Sequence, residues 1–202
     1  MSADRTVIEG FEREYASVRI GCERAVTQLD ASQLRRALDP ETNSAAVIMK
    51  HMAGNLRSRF TNFLEEDGEK PWRGRDAEFV DDFPAGDAGR AAVLTLWNDG
   101  WQVLADALAR LTDDDLPRTV RIRGEPHTVV RALARSLAHA AYHQGQIVLI
   151  ARTLAGPEHW KTLTIARGKS DEHNRSMGYD PAAPRGGAAP GARGGAASSP
   201  SG

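Results

Sequence analysis

The chain has one cysteine, Cys22, in 202 residues, which excludes an intrachain disulfide framework and a thiolate-based structural zinc cluster. It also lacks an excess of either charge. A formal net charge of -1 and a pI near 6.6 leave no electrostatic footprint for nucleic acid or an anionic membrane. No apolar run approaches the roughly 20 residues needed to cross a bilayer, and the start, Met1-Ser-Ala-Asp-Arg-Thr-Val-Ile8, turns charged too early for a secretory signal. Lysine occurs only at positions 50, 70, 161 and 169, the remaining basic residues being arginine, a bias of codon usage. These absences predict a soluble, cytoplasmic protein with no nucleic-acid or membrane partner. Two metalloenzyme patterns are missing as well. No glutamate follows His51 and no His-Glu-x-x-His is present, so zinc-peptidase chemistry is unsupported. The paired Glu-x-x-His motifs of a di-metal carboxylate bundle are absent too.

What is present is four long amphipathic segments around one core. Hydrophobic residues make up 41% of the chain, enough for one domain of this length. Residues 3–29 carry Val7, Phe11, Tyr15, Val18, Cys22 and Val26 three or four apart, which predicts a helix with a buried stripe. After Asp39-Pro40, a cap at Asn43 or Ser44 opens a second helix to about Glu65, with Ile48, Met52, Leu56, Phe60 and Phe63 on its apolar arc. Residues 67–87 follow no period and form a long loop, the kind that is often functional. Its Trp72, Phe79 and Phe83 are expected to pin it to the helices.

A third helix over residues 88–111 has the cleanest stripe: Leu94, Trp97, Trp101, Leu104, Leu108 and Leu111. The tryptophans and Cys22 sit on core stripes, where packing is their expected role. Asp113-Asp-Asp115 reads as a solvated loop. Alternation in Thr119-Val-Arg-Ile-Arg123 before Gly124 predicts a short extended piece or small hairpin. The fourth helix runs from His127 or Thr128 to about Leu154. A flap is expected to extend to Tyr179, and the Ala/Gly/Pro-rich residues 180–202 are expected to be a disordered tail to a domain of residues 1–179. Gly168-Lys-Ser170 resembles the end of a phosphate-binding loop, but Leu163 stands where that pattern needs its first glycine.

The chemistry rests on histidine. His139 and His143 are four apart on the fourth helix, so their Cβ atoms stack about 5–6 Å apart on one face. His51 borders the apolar arc of the second helix. Burying three imidazoles without a shared partner would desolvate several polar groups, and one bound cation supplies that partner. Three histidine ligands leave a coordination position open, as in catalytic zinc sites. Asn55, Ser58, Ser136 and Gln146 occupy helical positions that could surround the site, whereas the sequence names no acidic partner for the rings. His127, His159 and His173 lack the spacing of ligands.

This arrangement resembles the DinB/YfiT-like superfamily of four-helix-bundle metalloenzymes. Its carriers are His51 with the His139/His143 pair, together with Lys50-His-Met-Ala-Gly-Asn55, Asp67-Gly-Glu-Lys-Pro-Trp72, Tyr142-His-Gln-Gly-Gln-Ile147 and Arg167-Gly-Lys-Ser170, which look like an uncharacterised bacterial branch, a domain of unknown function. The resemblance covers about residues 7–174. It implies an all-α four-helix bundle that binds one divalent metal (zinc, with nickel or iron as alternatives) through His51, His139 and His143. It further implies activation of a low-molecular-weight thiol for transfer to an electrophile, and a homodimer. A non-catalytic metal-binding or structural module and a metal-water hydrolase are the competing readings, the hydrolase lacking a carboxylate base beside the ligands.

Overall fold

The computed structural model describes residues 4–180, which fall into two compact units, one ending at Leu163 and the other starting at Thr164. The expected disordered tail lies almost wholly outside the described residues. The protein is mostly helical, with one small two-stranded sheet. Four long helices carry the first unit: α1 (Thr6–Val26), α3 (Ala45–Phe60), α4 (Gly86–Ala109) and α5 (Val129–His159). A short helix α2 (Ala31–Arg35), too brief to show a period, follows α1 behind an Asp30/Gln33 capping box. No described helix is long and apolar enough to cross a membrane.

Local chemistry fixes the ends of these helices. Ser44 Oγ accepts the backbone N–H of Val47 at the start of α3, and Thr128 Oγ1 accepts that of Arg131 at the start of α5. At the start of α1 the Asp4 side chain accepts the backbone N–H of Thr6, and the Asp113 carboxylate accepts those of Val7 and Ile8 at 2.9 and 3.0 Å. The acidic run is therefore a remote helix cap as well as a loop. Gly156, at φ 73°, lets the chain kink and continue helically beyond the expected end at Leu154.

The core joins Tyr15, Val18 and Cys22 of α1, Met52 and Leu56 of α3, Trp97, Trp101 and Leu104 of α4, and Leu133 and Ile147 of α5. Ile8, rather than the expected Val7, is buried at the start of α1; Val7 is 44% exposed. α1 packs on α5, and α3 packs on both α4 and α5. Gly100 of α4 brings its backbone against Ala53 of α3, where an added Cβ would lie 2.7 Å from the Ala53 Cα.

The extended piece is a hairpin, β1 (Thr119–Ile122) paired antiparallel with β2 (Glu125–Thr128). Its two-residue turn has positive φ at Arg123 and Gly124, the geometry that follows strand twist. Asp67 accepts both turn N–H groups, and Gly68 donates to the Arg121 carbonyl. These bonds tie the start of the long loop to the hairpin. Further on, a single 3-10 turn at Asp76–Phe79 returns the loop to α3. Phe79 stacks on His51 and Phe83 is buried, whereas Trp72 remains 54% exposed beside Arg57. The second unit contains α6 (Ser170–Ser176).

Candidate metal centre

His51 lies in the middle of α3, and His139 and His143 lie one turn apart on α5. Their rings converge. The Nε2 atoms of His51 and His139 are 3.4 Å apart, and those of His143 and His139 are 3.1 Å apart. One ligand nitrogen from each ring falls within 4.8 Å of the others. Ligands at zinc–nitrogen distances in a tetrahedral shell are about 3.3 Å apart, so one ion fits among the three nitrogens.

The opposite ring edges explain this orientation. His51 Nδ1 is 2.8 Å from Glu78 Oε2, and His143 Nδ1 is 2.7 Å from Gln146 Oε1. An ionised carboxylate and an amide oxygen only accept, so both Nδ1 atoms donate and each ring turns its Nε2 toward the cluster. With His139 Nε2 between them, the three nitrogens can share one cation, each ring giving one lone pair. This donor set fits a divalent metal such as zinc, nickel or iron.

Charges around the rings favour the ligand form. Burial pushes His139 down to about 4 from an ordinary 6.5, aided by His143 and His51 and then by Arg73 and Arg59. Burial also lowers His143, against the opposing Gln146 contact. Glu78 is buried, which by itself would raise its pKa. The hydrogen bond from His51 and the fork of Arg73, whose Nε and Nη2 reach its two oxygens at 2.8 and 2.9 Å, reverse that and hold the carboxyl below its usual range. Glu78 thus remains an anion that orients His51, as carboxylates behind ligating histidines commonly do.

The other expected neighbours divide. Gln146 contacts His143, and Asn55 and Ser136 line a cavity beside the histidines. Ser58 instead donates to the Gly68 carbonyl, anchoring the loop. His127 is buried in β2 near Arg135 and Glu125, and neither it nor His159 or His173 joins the three-histidine group. Glu78 and Arg73 were invisible to helical periodicity because both lie in the aperiodic loop. Arg59 and Arg135 were not singled out, although a four-residue spacing carries them: His51, Asn55 and Arg59 on α3, and Arg135, His139 and His143 on α5.

A family profile described as "Protein of unknown function (DUF1572)" matches residues 3–169. The chain belongs to that family. The match spans α1 to α5, including the three histidines, Glu78 and Arg73. No curated protein and no solved structure matches the chain. The family description assigns no activity.

Proposed function

We propose that this DUF1572 protein is a four-helix bundle of the DinB/YfiT-like type, with its domain spanning residues 1–179. In this reading it is a cytoplasmic, mononuclear metal-dependent enzyme that activates a low-molecular-weight thiol for transfer to a small electrophile, as in stress response or detoxification, and it works as a homodimer. The observation that carries the reading is the convergence of three imidazole nitrogens at 3.1 and 3.4 Å, with Glu78 and Gln146 behind two of the rings.

His51, His139 and His143 would hold the ion, which would supply positive charge to acidify a thiol beside it. Glu78 keeps the donor nitrogen of His51 turned inward, and Arg73 keeps Glu78 charged. Phe79 covers one face of the His51 ring at a centroid separation of 4.7 Å and restricts water there. Hydrolysis is disfavoured because Glu78, the acidic group bonded to a ring of the cluster, is committed to His51 and Arg73 and is not free to act as a base.

Elemental analysis of wild type beside His51→Ala and His143→Ala tests the centre. The expected result is one ion per wild-type chain and none in the variants. Cobalt-substituted wild type is then titrated with cellular thiols, and a new absorption band on thiol addition supports the thiol chemistry. Metal without any such band favours a structural module or a hydrolase. Absence of metal from wild type overturns the centre itself.

A further inference from the structure

The cavity that opens beside His51 and His139 has a volume of about 180 Å³, smaller than the roughly 300–1,000 Å³ typical of drug-sized ligand sites. Among the described residues five arginines line it, Arg59, Arg73, Arg75, Arg123 and Arg135, and no carboxylate does. The carboxylates paired with these arginines lie outside the lining. Glu69 is shared by Arg59, Arg73 and Arg123, and Glu78 is held by Arg73. Among the described residues Arg75 has one carboxylate partner, the fully exposed Asp76 at 3.8 Å, and its guanidinium lies over the Phe79 ring. Arg135 has no carboxylate partner among the described residues, and its guanidinium contacts His127 Nε2 at 3.5 Å. The wall is therefore under-neutralised next to the histidine cluster.

We infer that this cavity is an oxyanion subsite, in which Arg135 and its neighbouring arginines hold a carboxylate or phosphate group of the small molecule that the histidine-bound metal acts on. The inference rests on the metal reading for the role of the bound molecule, and on the arginine lining for its charge. Arg135 stands one helical turn before His139, and Arg59 stands two turns after His51 through Asn55. Both helices thus present a guanidinium to the cavity that His51 and His139 also line. A guanidinium fork matches the planar oxygens of a carboxylate or the face of a phosphate. A bound oxyanion would also offset the positive potential that five arginines impose beside a cation.

The test uses the full chain, with zinc added, and calorimetric titration of two thiols of similar size: 3-mercaptopropionate and 2-mercaptoethanol. The carboxylate-bearing thiol is expected to bind about tenfold tighter or better, the worth of one hydrogen-bonded charge. Arg135→Gln should narrow that advantage by at least about threefold, and Arg135→Lys, which keeps charge but loses the fork, should fall between. Equal affinities in wild type overturn the subsite, as does an unchanged preference in Arg135→Gln. Acetate and inorganic phosphate, added as competitors, separate the two oxyanions: displacement by either supports the subsite, and displacement by neither overturns it. Zinc content is measured on the same samples. A chain that takes up no zinc yet still prefers the anionic probe refutes the metal reading and leaves the subsite standing. A chain that binds zinc but shows no preference does the reverse.

Discussion

Glu78 reaches His51 from a loop 27 residues away in sequence and places a carboxylate oxygen 2.8 Å from its Nδ1 atom. That contact links a segment without helical periodicity to the histidine cluster and aims the other ring nitrogen at His139.

Glu78→Gln is the informative change at that contact. The amide oxygen can still accept from His51, but the charge is lost and the Arg73 fork is weakened. Metal affinity should fall by about 10–100-fold, the usual cost of losing a partner behind a ligand, as read by competition with a chromophoric chelator. Glu78→Ala is less discriminating: it strips the main partner from Arg73, whose side chain is only 2% exposed, and destabilises the fold as well. An unchanged affinity in Glu78→Gln would reduce the glutamate to a loop anchor.

The long helices and the three histidines were legible in the sequence because both follow the same 3.6-residue period. Once Met52 and Leu56 face the core, His51 must sit beside them, and His139 and His143 must share a face. The hairpin was legible from alternation and Gly124. What escaped was set by contacts distant in sequence. Asp113 caps α1 from more than 100 residues away, and Glu78 and Arg73 reach the site through a loop whose path depends on Asp67 gripping the hairpin turn. The choice of Ile8 over Val7 is a small rotation of one helix face, which packing decides and local spacing does not.

Cys22 bears on the source of the thiol. It is fully buried, and burial, together with the nearby charge of Glu23, pushes its thiol up to about 12. At pH 8 the reactive thiolate is then a fraction on the order of 10⁻⁴. The native protein should resist iodoacetamide at pH 8 and become labelled in denaturant, as followed by intact mass. Rapid native labelling would contradict the packing role. Inertness means that the proposed thiol chemistry requires an external thiol.

Two glycines on facing helices should separate site effects from fold effects. A Cβ at Gly54 would overlap the Glu78 carboxylate, the movable end of a side chain, whereas a Cβ at Gly100 would meet the Ala53 Cα and carbonyl oxygen at 2.7 and 2.9 Å. Gly54→Ala should therefore weaken metal binding as Glu78→Gln does. The stability of the metal-free chain should stay within about 1 kcal/mol, because alanine favours helix by a similar amount. Gly100→Ala should force α3 and α4 apart and cost about 1–3 kcal/mol in denaturant unfolding. Equal losses of stability in both variants would refute the distinction.

His139 gives the metal-free chain a defined pH dependence. Its pKa is pushed down to about 4 by burial first, then by His143 and His51 and by Arg73 and Arg59, whereas in the unfolded chain it returns to the ordinary 6.5. Between those values the unfolded state holds the extra proton, so stability rises with pH. The contribution is fully present above 6.5 and is lost progressively as pH falls toward 4. Urea unfolding of metal-free wild type and His139→Ala between pH 7.5 and 5 isolates it, because the carboxylates that titrate lower are common to both chains. Wild type should lose stability more steeply on acidification, and parallel curves would show that the ring is not held neutral by its surroundings. The same protons compete for the nitrogens that face the cluster, so metal release, followed by chelator capture, should grow as pH falls through the same window.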